Sequence, residues 1–335
     1  LATTPTELER AGNFSRSFDV SGALIPVRDP LTGQPFPGNI VPAARISKVG
    51  QSILNFFPKP NYTDPDPRNL YRYNLRSTFS AHCPLRNELL RLDFHPASGL
   101  TMYYRLLQNI QTTRPPWDDW KIGNNFFLTS LENKAPGLSH AVQVTKVFSP
   151  TLVNEAKFAY TLNDINSDYT DPSKVTRAIL GNPPQLYPDP GSPDTAPNVS
   201  FGSQPVNAVT LSLGPGNWYW RGTEYTIANN ISKVWSRHTV KAGFHWDYYR
   251  AVAMDTRAQW RGAFDFGRDV NNPFDANHGF ANALLGNYSS YTELTKRALK
   301  DTVLHVIEFY VQDLSLIHIS EPTRLLSISY AVFCL

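Results

Sequence analysis

The feature that most constrains this chain is a predicted hairpin across residues 224–251, whose second half alternates apolar and polar side chains. Residues 224–235 lead into a short turn, and residues 239–251 run back from it. The returning segment places Val240, Ala242, Phe244, Trp246 and Tyr248 on one side and Lys241, His245 and Asp247 on the other. A period of two predicts a β-hairpin. Each strand holds about 12 residues, more than the usual 5–6 or so of soluble proteins and enough to cross a bilayer at a tilt.

Charged side chains deep inside a strand of that length require water on their side of the sheet, as in the lumen of an outer-membrane barrel. Two more hairpins with tight turns are predicted at residues 87–109 and 138–160, so the strands form an antiparallel meander. Shorter strands are predicted at residues 263–266 and 307–312, with a short helix at 280–286 that ends at a glycine.

Two long segments lack this alternation. Residues 1–86 are rich in turn-forming residues, and we interpret them as one long ordered loop that carries a short amphipathic helix at about residues 43–57. Residues 163–217 form a polar stretch rich in Pro, Gly and Asp, far longer than the usual loop of about 4–6 residues. Short turns that alternate with such a long loop are typical of outer-membrane barrels, whose long loops are extracellular.

The composition supports a β-rich chain with long loops. Among 335 residues there are 16 Tyr, 19 Phe, 7 Trp and 27 Pro, and only 18% of the residues are charged. The length suits two ordinary domains or one large all-β domain. The net charge of +3 is scattered along the chain without basic clusters, which argues against nucleic acid as a partner.

We expect no enzymatic activity and no cofactor. The sequence has no nucleophile elbow, no phosphate-binding glycine loop and no zinc-protease motif. Its two cysteines, Cys83 and Cys334, are too few for a disulfide framework or a cysteine-based metal site.

Two groups of residues are candidates for ligand contact. Lys241, His245 and Asp247 share one strand face, where they form either a ligand or proton site or simply a solvated lumen wall. The second group comprises Trp218, Tyr219 and Trp220, together with Trp117 and Trp120, all predicted to lie in or beside loops. These aromatic side chains either stack on a sugar or peptide ligand or anchor the protein at the membrane interface.

Several phrases of the sequence resemble those of the Oar-like TonB-dependent receptors of acidobacteria and related soil bacteria. The phrases are PTELERAGNFS at 5–15, DPLTGQPFPGNIVP at 29–42, RIS at 45–47, FSPTLVNE at 148–155 and FYVQD at 309–313. Their order and spacing also agree with that family across residues 1–313.

The resemblance implies a large outer-membrane barrel whose lumen is closed by an N-terminal plug and opened by energy from the TonB-ExbB-ExbD system. It implies that the plug and the TonB box lie upstream of Leu1, and that later strands lie downstream of Asp313. The lipid bilayer, the TonB system and an extracellular ligand are then the expected partners. The identity of the ligand does not follow from the resemblance.

The last 22 residues stand apart from the rest. The segment LSLIHISEPTR at 314–324 resembles the translation of a transposase adapter used in sequencing libraries. We therefore exclude residues 314–335 from the predicted fold as a non-native tail.

Taken together, the sequence predicts an all-β protein of the cell outer membrane. Residues 1–86 form the long loop region with its helix, and residues 87–313 form part of a transmembrane antiparallel β-barrel with long extracellular loops. The predicted function is binding and import of an extracellular ligand. Two alternatives stay open: a secreted β-sandwich module that binds a glycan or another ligand, and an adhesion or structural barrel without transport.

Overall fold

The computed structural model describes residues 1–78, 80, 83–114, 126, 128–190, 192–213, 216–254, 258–315 and 331–334. Within these ranges the strands, in chain order, are β1 Leu85–Ala97, β2 Leu100–Thr113, β3 Leu131–Lys134, β4 Gly137–Ser149, β5 Leu152–Tyr169, β6 Asn198–Ser200, β7 Trp218–Trp235, β8 His238–Met254, β9 Ala263–Asp265, β10 Ser290–Thr292, β11 Leu299–Ser315 and β12 Ala331–Cys334. The α-helices are α1 Glu7–Arg10, α2 Lys48–Phe56 and α3 Gly279–Leu285.

One large antiparallel sheet contains most of these strands. The path runs β1-β2-β4-β5-β7-β8-β11-β12, and the short β3 bridges β2 and β5 beyond the end of β4. Two-residue connections at 98–99, 150–151 and 236–237 all lie at one end of the sheet. The predicted antiparallel meander is confirmed.

Several strands are longer than the sequence suggested. β5 continues to Tyr169, inside the segment predicted as a loop at 163–217, because its polar upper half pairs residue by residue with the start of β7. The final strand predicted at 307–312 is β11, which spans Leu299–Ser315 and pairs along its whole length with β8. Its last two residues lie in the segment predicted to be a non-native tail, and β12 adds four more paired residues.

Helix α2 lies within the predicted range 43–57, preceded by a 3-10 turn at Ala43–Arg45. Ser47 caps it by accepting from the Gly50 amide at 3.3 Å. Helix α3 ends at Gly286 in the left-handed conformation, as predicted. The two helices cross closely, since a Cβ atom at Gly50 would collide with the Ala283 carbonyl.

Most of the buried core lies outside the long strands, in a unit that we call the cap: residues 1–78, 170–190, 192–213 and 258–292. Its buried side chains include Phe14, Val27, Ile53, Phe57, Leu180, Phe201, Leu211, Phe280 and Leu284. The prediction that the N-terminal segment is a long loop with a short helix was incomplete. The segment folds against the other two segments because no single short segment can bury its own apolar side chains.

Buried polar side chains join the irregular segments of the cap. The Arg10 guanidinium donates to the carbonyl oxygens of Pro5, Leu54, Phe57 and Pro58. The Asn39 side chain accepts from the Val27 amide and donates to the Phe14 and Ile25 carbonyl oxygens. These bonds satisfy backbone groups that have no helix or sheet partner.

The cap is seated on one face of the large sheet, at the end from which the long connections emerge. Leu131 and Tyr169 are register partners and belong to the same buried core as the cap. Arg261 of the cap donates to the Tyr169 hydroxyl at 3.2 Å. Tyr169 lies on the same side of β5 as Lys157, which aligns through Ala228 with His245. The cap therefore sits at the long-loop end of the face that carries His245.

Candidate functional site

The two faces of the large sheet differ in chemistry. We call the first the outer face; it carries Phe158, Ile227, Trp246 and Ile307, which are aligned across four strands. A row of aromatic and imidazole rings crosses the same face: His140, Tyr160, Tyr225, Tyr248 and His305. Its neighbouring rings lie 5.1–6.3 Å apart between centroids. Such a row is typical of the aromatic girdle at a membrane interface.

The spacing of aromatic side chains along β7 fits a bilayer. Trp235, at the short-turn end, lies ten residues beyond Tyr225 on the same face and is 75% exposed. Ten residues span about 33 Å along a strand, or about 25 Å across the membrane at a tilt of about 40°. That is the height of the apolar band of outer-membrane barrels.

The opposite face, which we call the inner face, is polar. One continuous row of register partners crosses it: Asp93, Tyr103, Gln143, Lys157, Ala228, His245 and Glu308. The row contains charges of both signs and, apart from Ala228, only side chains that can form hydrogen bonds. The Arg91 guanidinium bonds to Asp93 and lies over the Tyr103 ring at 4.4 Å, and Tyr103 donates to Gln143 at 3.1 Å.

The structure brings together two of the three predicted residues of the inner face. His245 Nε2 and Asp247 Oδ2 are 2.7 Å apart, and both side chains are partly exposed. Lys241 lies on the same face but four residues away, which is about 13 Å along the strand. Asp247 Oδ1 is buried, so within this pair it is the His245 ring, with a side chain that is 35% exposed, that can bind polar groups of a ligand.

Sequence reasoning missed the partners that the other strands contribute. Lys157 and Glu308 lie on either side of His245 in the inner-face row, yet they are 88 and 63 residues away in sequence. The alternation of side chains along each strand places both residues on a polar face, but only the register between strands shows that they share one row.

The aromatic residues predicted to lie in or beside a loop follow directly on the long loop that was predicted at 163–217. Trp218, Tyr219 and Trp220 are the first three residues of β7, so their side chains alternate between faces. Trp218 and Trp220 lie on the inner face and Tyr219 on the outer face, and the Trp218 indole donates to the Met254 carbonyl at 2.7 Å. The three rings therefore cannot stack on one ligand. Trp117 and Trp120 lie outside the described residues.

The cap holds its own buried polar contact above the inner face. His278 is fully buried, and its Nδ1 accepts from the Phe280 amide at 3.2 Å. Its Nε2 lies 3.8 Å from Glu9 Oε1, which accepts from the Ser17 hydroxyl at 2.6 Å. Burial lowers the pKa of His278 to about 4, so the imidazole is neutral near pH 7.

None of the described groups of His, Cys, Asp and Glu could hold a metal ion. In the same part of the chain, no helix is long and apolar enough to span a membrane.

Membrane-length strands, an apolar outer face with an aromatic row, a polar inner face and short turns at one end define a segment of an outer-membrane β-barrel. The sequence matches the family described as outer membrane beta barrel domain over residues 1–314. The chain therefore belongs to that family and is a protein of the outer membrane, where it contacts the lipid bilayer. This location excludes the secreted β-sandwich alternative. The match ends at the first residue of the segment that resembles an adapter.

Among solved structures, the chain is similar to the outer membrane transporter YddB from Escherichia coli, with 8% sequence identity and a TM-score of 0.38. The similarity covers 70% of this chain and 25% of that structure, so the chain spans about a quarter of its length. Comparison with curated proteins gives no match.

Proposed function

We propose that this chain is part of a TonB-dependent outer-membrane receptor of the Oar-like type, which binds an extracellular ligand and imports it. The ligand passes along the inner face, and the cap covers the extracellular entrance to it. The inner-face row carries this proposal. The row of polar and charged side chains from Asp93 to Glu308, interrupted only by Ala228, lines the wall with ligand-binding groups that a purely structural barrel does not need.

The position of the cap supports a gated path. Its core continues onto the inner face at Tyr169, so a ligand that enters from outside meets the cap before it meets His245 and Asp247. Opening therefore requires energy or binding at the cap. In the proposal the TonB-ExbB-ExbD system supplies that energy through a plug, as the resemblance to the Oar-like receptors implies.

The proposal includes no catalysis and no cofactor. The His245–Asp247 pair resembles part of a catalytic triad, but a nucleophile would have to lie within hydrogen-bond reach of the imidazole. Its register partners are Ala228 and Glu308, neither of which carries a hydroxyl or thiol group. In the proposal, the pair acts in ligand recognition.

Uptake in the native bacterium tests the proposal. Cells with and without the gene are compared for accumulation of ferrichrome, cobalamin and maltoheptaose, each with and without a protonophore. We expect protonophore-sensitive accumulation of at least one probe to disappear with the gene. The variant H245A/D247A should reduce that accumulation at least fivefold at low probe concentration, whereas the inner-face control Ser232→Ala should not.

The remaining alternative is an adhesion or structural barrel. It predicts equal accumulation of all three probes in both strains, together with surface binding that the protonophore does not affect. That result would contradict the transport proposal.

A further inference from the structure

A cleft opens on the outer face near the long-loop end of the sheet. It is lined by Asp164, Asn166, Tyr219, Arg221, Thr223, Arg250 and Val252 and has a volume of about 440 Å³. All seven side chains belong to β5, β7 and β8 and lie on the face opposite His245. The volume lies within the range of about 300–1,000 Å³ that is usual for small-molecule sites. The cleft is therefore separate from the proposed transport path.

The aromatic row fixes the depth of this cleft in the membrane. Thr223 and Arg250 lie two residues beyond Tyr225 and Tyr248, which is about 7 Å further towards the long-loop end. Arg221 lies a further two residues along the strand. Since aromatic girdles mark the boundary of the apolar layer and long loops are extracellular, the cleft lies among the headgroups of the outer leaflet.

Carboxylates hold two arginines of the cleft in place and use only some of their N–H donors. Arg221 donates to Asp164 at 2.6 Å, and Arg250 donates to both carboxylate oxygens of Asp301 at 3.0 and 2.7 Å. These bonds use one N–H group of Arg221 and two of Arg250, whereas a guanidinium has five. The arginine side chains are 59% and 51% exposed. They are oriented by carboxylates and still open to a ligand.

The geometry of the two arginines suits one phosphate group. Arg221 is the register partner of Val252, and Arg250 lies two residues from Val252 on the same strand. The two arginines are therefore diagonal neighbours on one face, so both can contact the same ligand. Guanidinium forks bind phosphate through paired N–H groups.

The other residues of the cleft suit a sugar. The Tyr219 ring offers an apolar face with a polar tip, and Asn166, its register partner, offers an amide. Thr223 adds a hydroxyl group, and Val252 an apolar floor. We propose that this cleft binds the phosphorylated sugar headgroup of an outer-leaflet glycolipid. This proposal does not depend on transport.

Lipopolysaccharide binding by the full chain in detergent micelles tests the proposal. The variant R221Q/R250Q removes both positive charges, and we expect its affinity to fall at least tenfold. The matched control K146Q/K233Q removes two positive charges from the outer face at the short-turn end, and its affinity should stay within twofold. Equal losses in both variants, or no loss in the first, would overturn the assignment.

Three further probes identify the ligand chemistry. Dephosphorylated lipopolysaccharide should bind at least tenfold more weakly than the intact lipid, and equal binding would overturn the role of phosphate. Phosphatidylglycerol in the same detergent micelles should also bind at least tenfold more weakly than lipopolysaccharide, and equal binding would overturn the role of the sugar. Soluble glucosamine 1-phosphate should compete only at a large excess, and competition at equal concentration would replace the lipid by a free phosphosugar.

A measurement on the unaltered chain covers the case in which a variant fails to fold. Phenylglyoxal modifies exposed arginines, so bound lipopolysaccharide should slow the modification of Arg221 and Arg250 at least fivefold. Arg237, exposed in the β7–β8 turn at the opposite end, should react at the same rate with and without the lipid. Equal rates at Arg221 and Arg250 would overturn the proposal.

Discussion

His278 shows how one buried side chain can join two segments of the cap. Its ring contacts Phe14 at 5.0 Å and Phe280 at 5.5 Å between centroids, so it packs as an apolar ring between the N-terminal segment and α3. Glu9 is the charged group closest to it. In this site a neutral imidazole fits, and a charged one loses its hydration without gaining a direct hydrogen bond.

The cap should therefore lose stability in mild acid. The pKa of His278 is about 4 in the folded chain and about 6.5 in the unfolded chain. The unfolded state binds the proton first as the pH falls, so the stabilisation is complete above pH 6.5 or so and is lost as the pH falls towards about 4. We expect a decrease of about 3 kcal/mol across that window, measured as the free energy of unfolding of the cap by hydrogen exchange.

The control variant is His278→Asn. Asparagine is a good N-cap residue, so it can keep the bond to the Phe280 amide without titrating. We expect the pH dependence between about 6.5 and 4 to disappear in this variant. An unchanged slope in H278N would show that another group, and not His278, titrates.

At the scale of single elements, the alternation of apolar and polar residues predicted the strands that have one apolar and one polar side. It failed to predict strand segments in which both sides are largely polar. The upper half of β5 has Asn163, Asp164 and Asn166, which lack any apolar periodicity, and only pairing with β7 makes it a strand. Trp218 follows the breaker-rich sequence at 214–217, and for that reason the strand was predicted to begin only at residue 224. Long-range pairing overrode the local signal in both places.

The assignment of the two faces can be tested with two adjacent residues of β7. In the assembled outer-membrane protein with both native cysteines, Cys83 and Cys334, replaced by Ser, we expect Ala228→Cys to react with a membrane-impermeant maleimide at least tenfold faster than Ile227→Cys. The physical reason is that Ala228 lies in the inner-face row beside His245, whereas Ile227 lies in the apolar row beside Trp246.

The control is a second outer-face position, on the neighbouring strand β8. Gly243 shares the inner face with His245, and Phe244 shares the outer face with Trp246. Because a side chain at Gly243 would meet the Tyr310 ring, Ala242→Cys on the outer face is the better control, and it should react as slowly as Ile227→Cys. Rapid labelling on the outer face would contradict the placement of lipid there.

At the scale of the whole molecule, the cap was the part that the sequence did not predict. Its core side chains, such as Phe14, Val27, Leu180 and Leu211, come from short irregular segments in which no helix or strand period is visible. Turn signals correctly marked these segments as irregular but carried no information about their mutual packing. The candidate site was predicted in part. Alternation along β8 identified His245 and Asp247 on one face, but it could not identify their neighbours on other strands.

Arg261 connects the cap to the sheet. It is 2% exposed and donates to the Tyr169 hydroxyl and to the Leu213 carbonyl, and its own carbonyl accepts from Arg177 at 2.8 Å. The variant Arg261→Met keeps most of the apolar stem but leaves those two acceptors without their guanidinium partner. We expect the cap to lose about 3 kcal/mol of stability.

Hydrogen exchange followed along the chain distinguishes loss of the cap from loss of the sheet. In R261M, amide protection should fall in α3 and in the N-terminal segment, whereas protection in β7 and β8 should stay the same. The control is Arg268→Met, because Arg268 is an exposed residue of the cap that bonds to Gln204 at 3.3 Å, and it should change stability by less than about 0.5 kcal/mol. If the sheet lost protection together with the cap, the two would unfold as one cooperative unit, and a cap that opens above an intact inner face would be excluded.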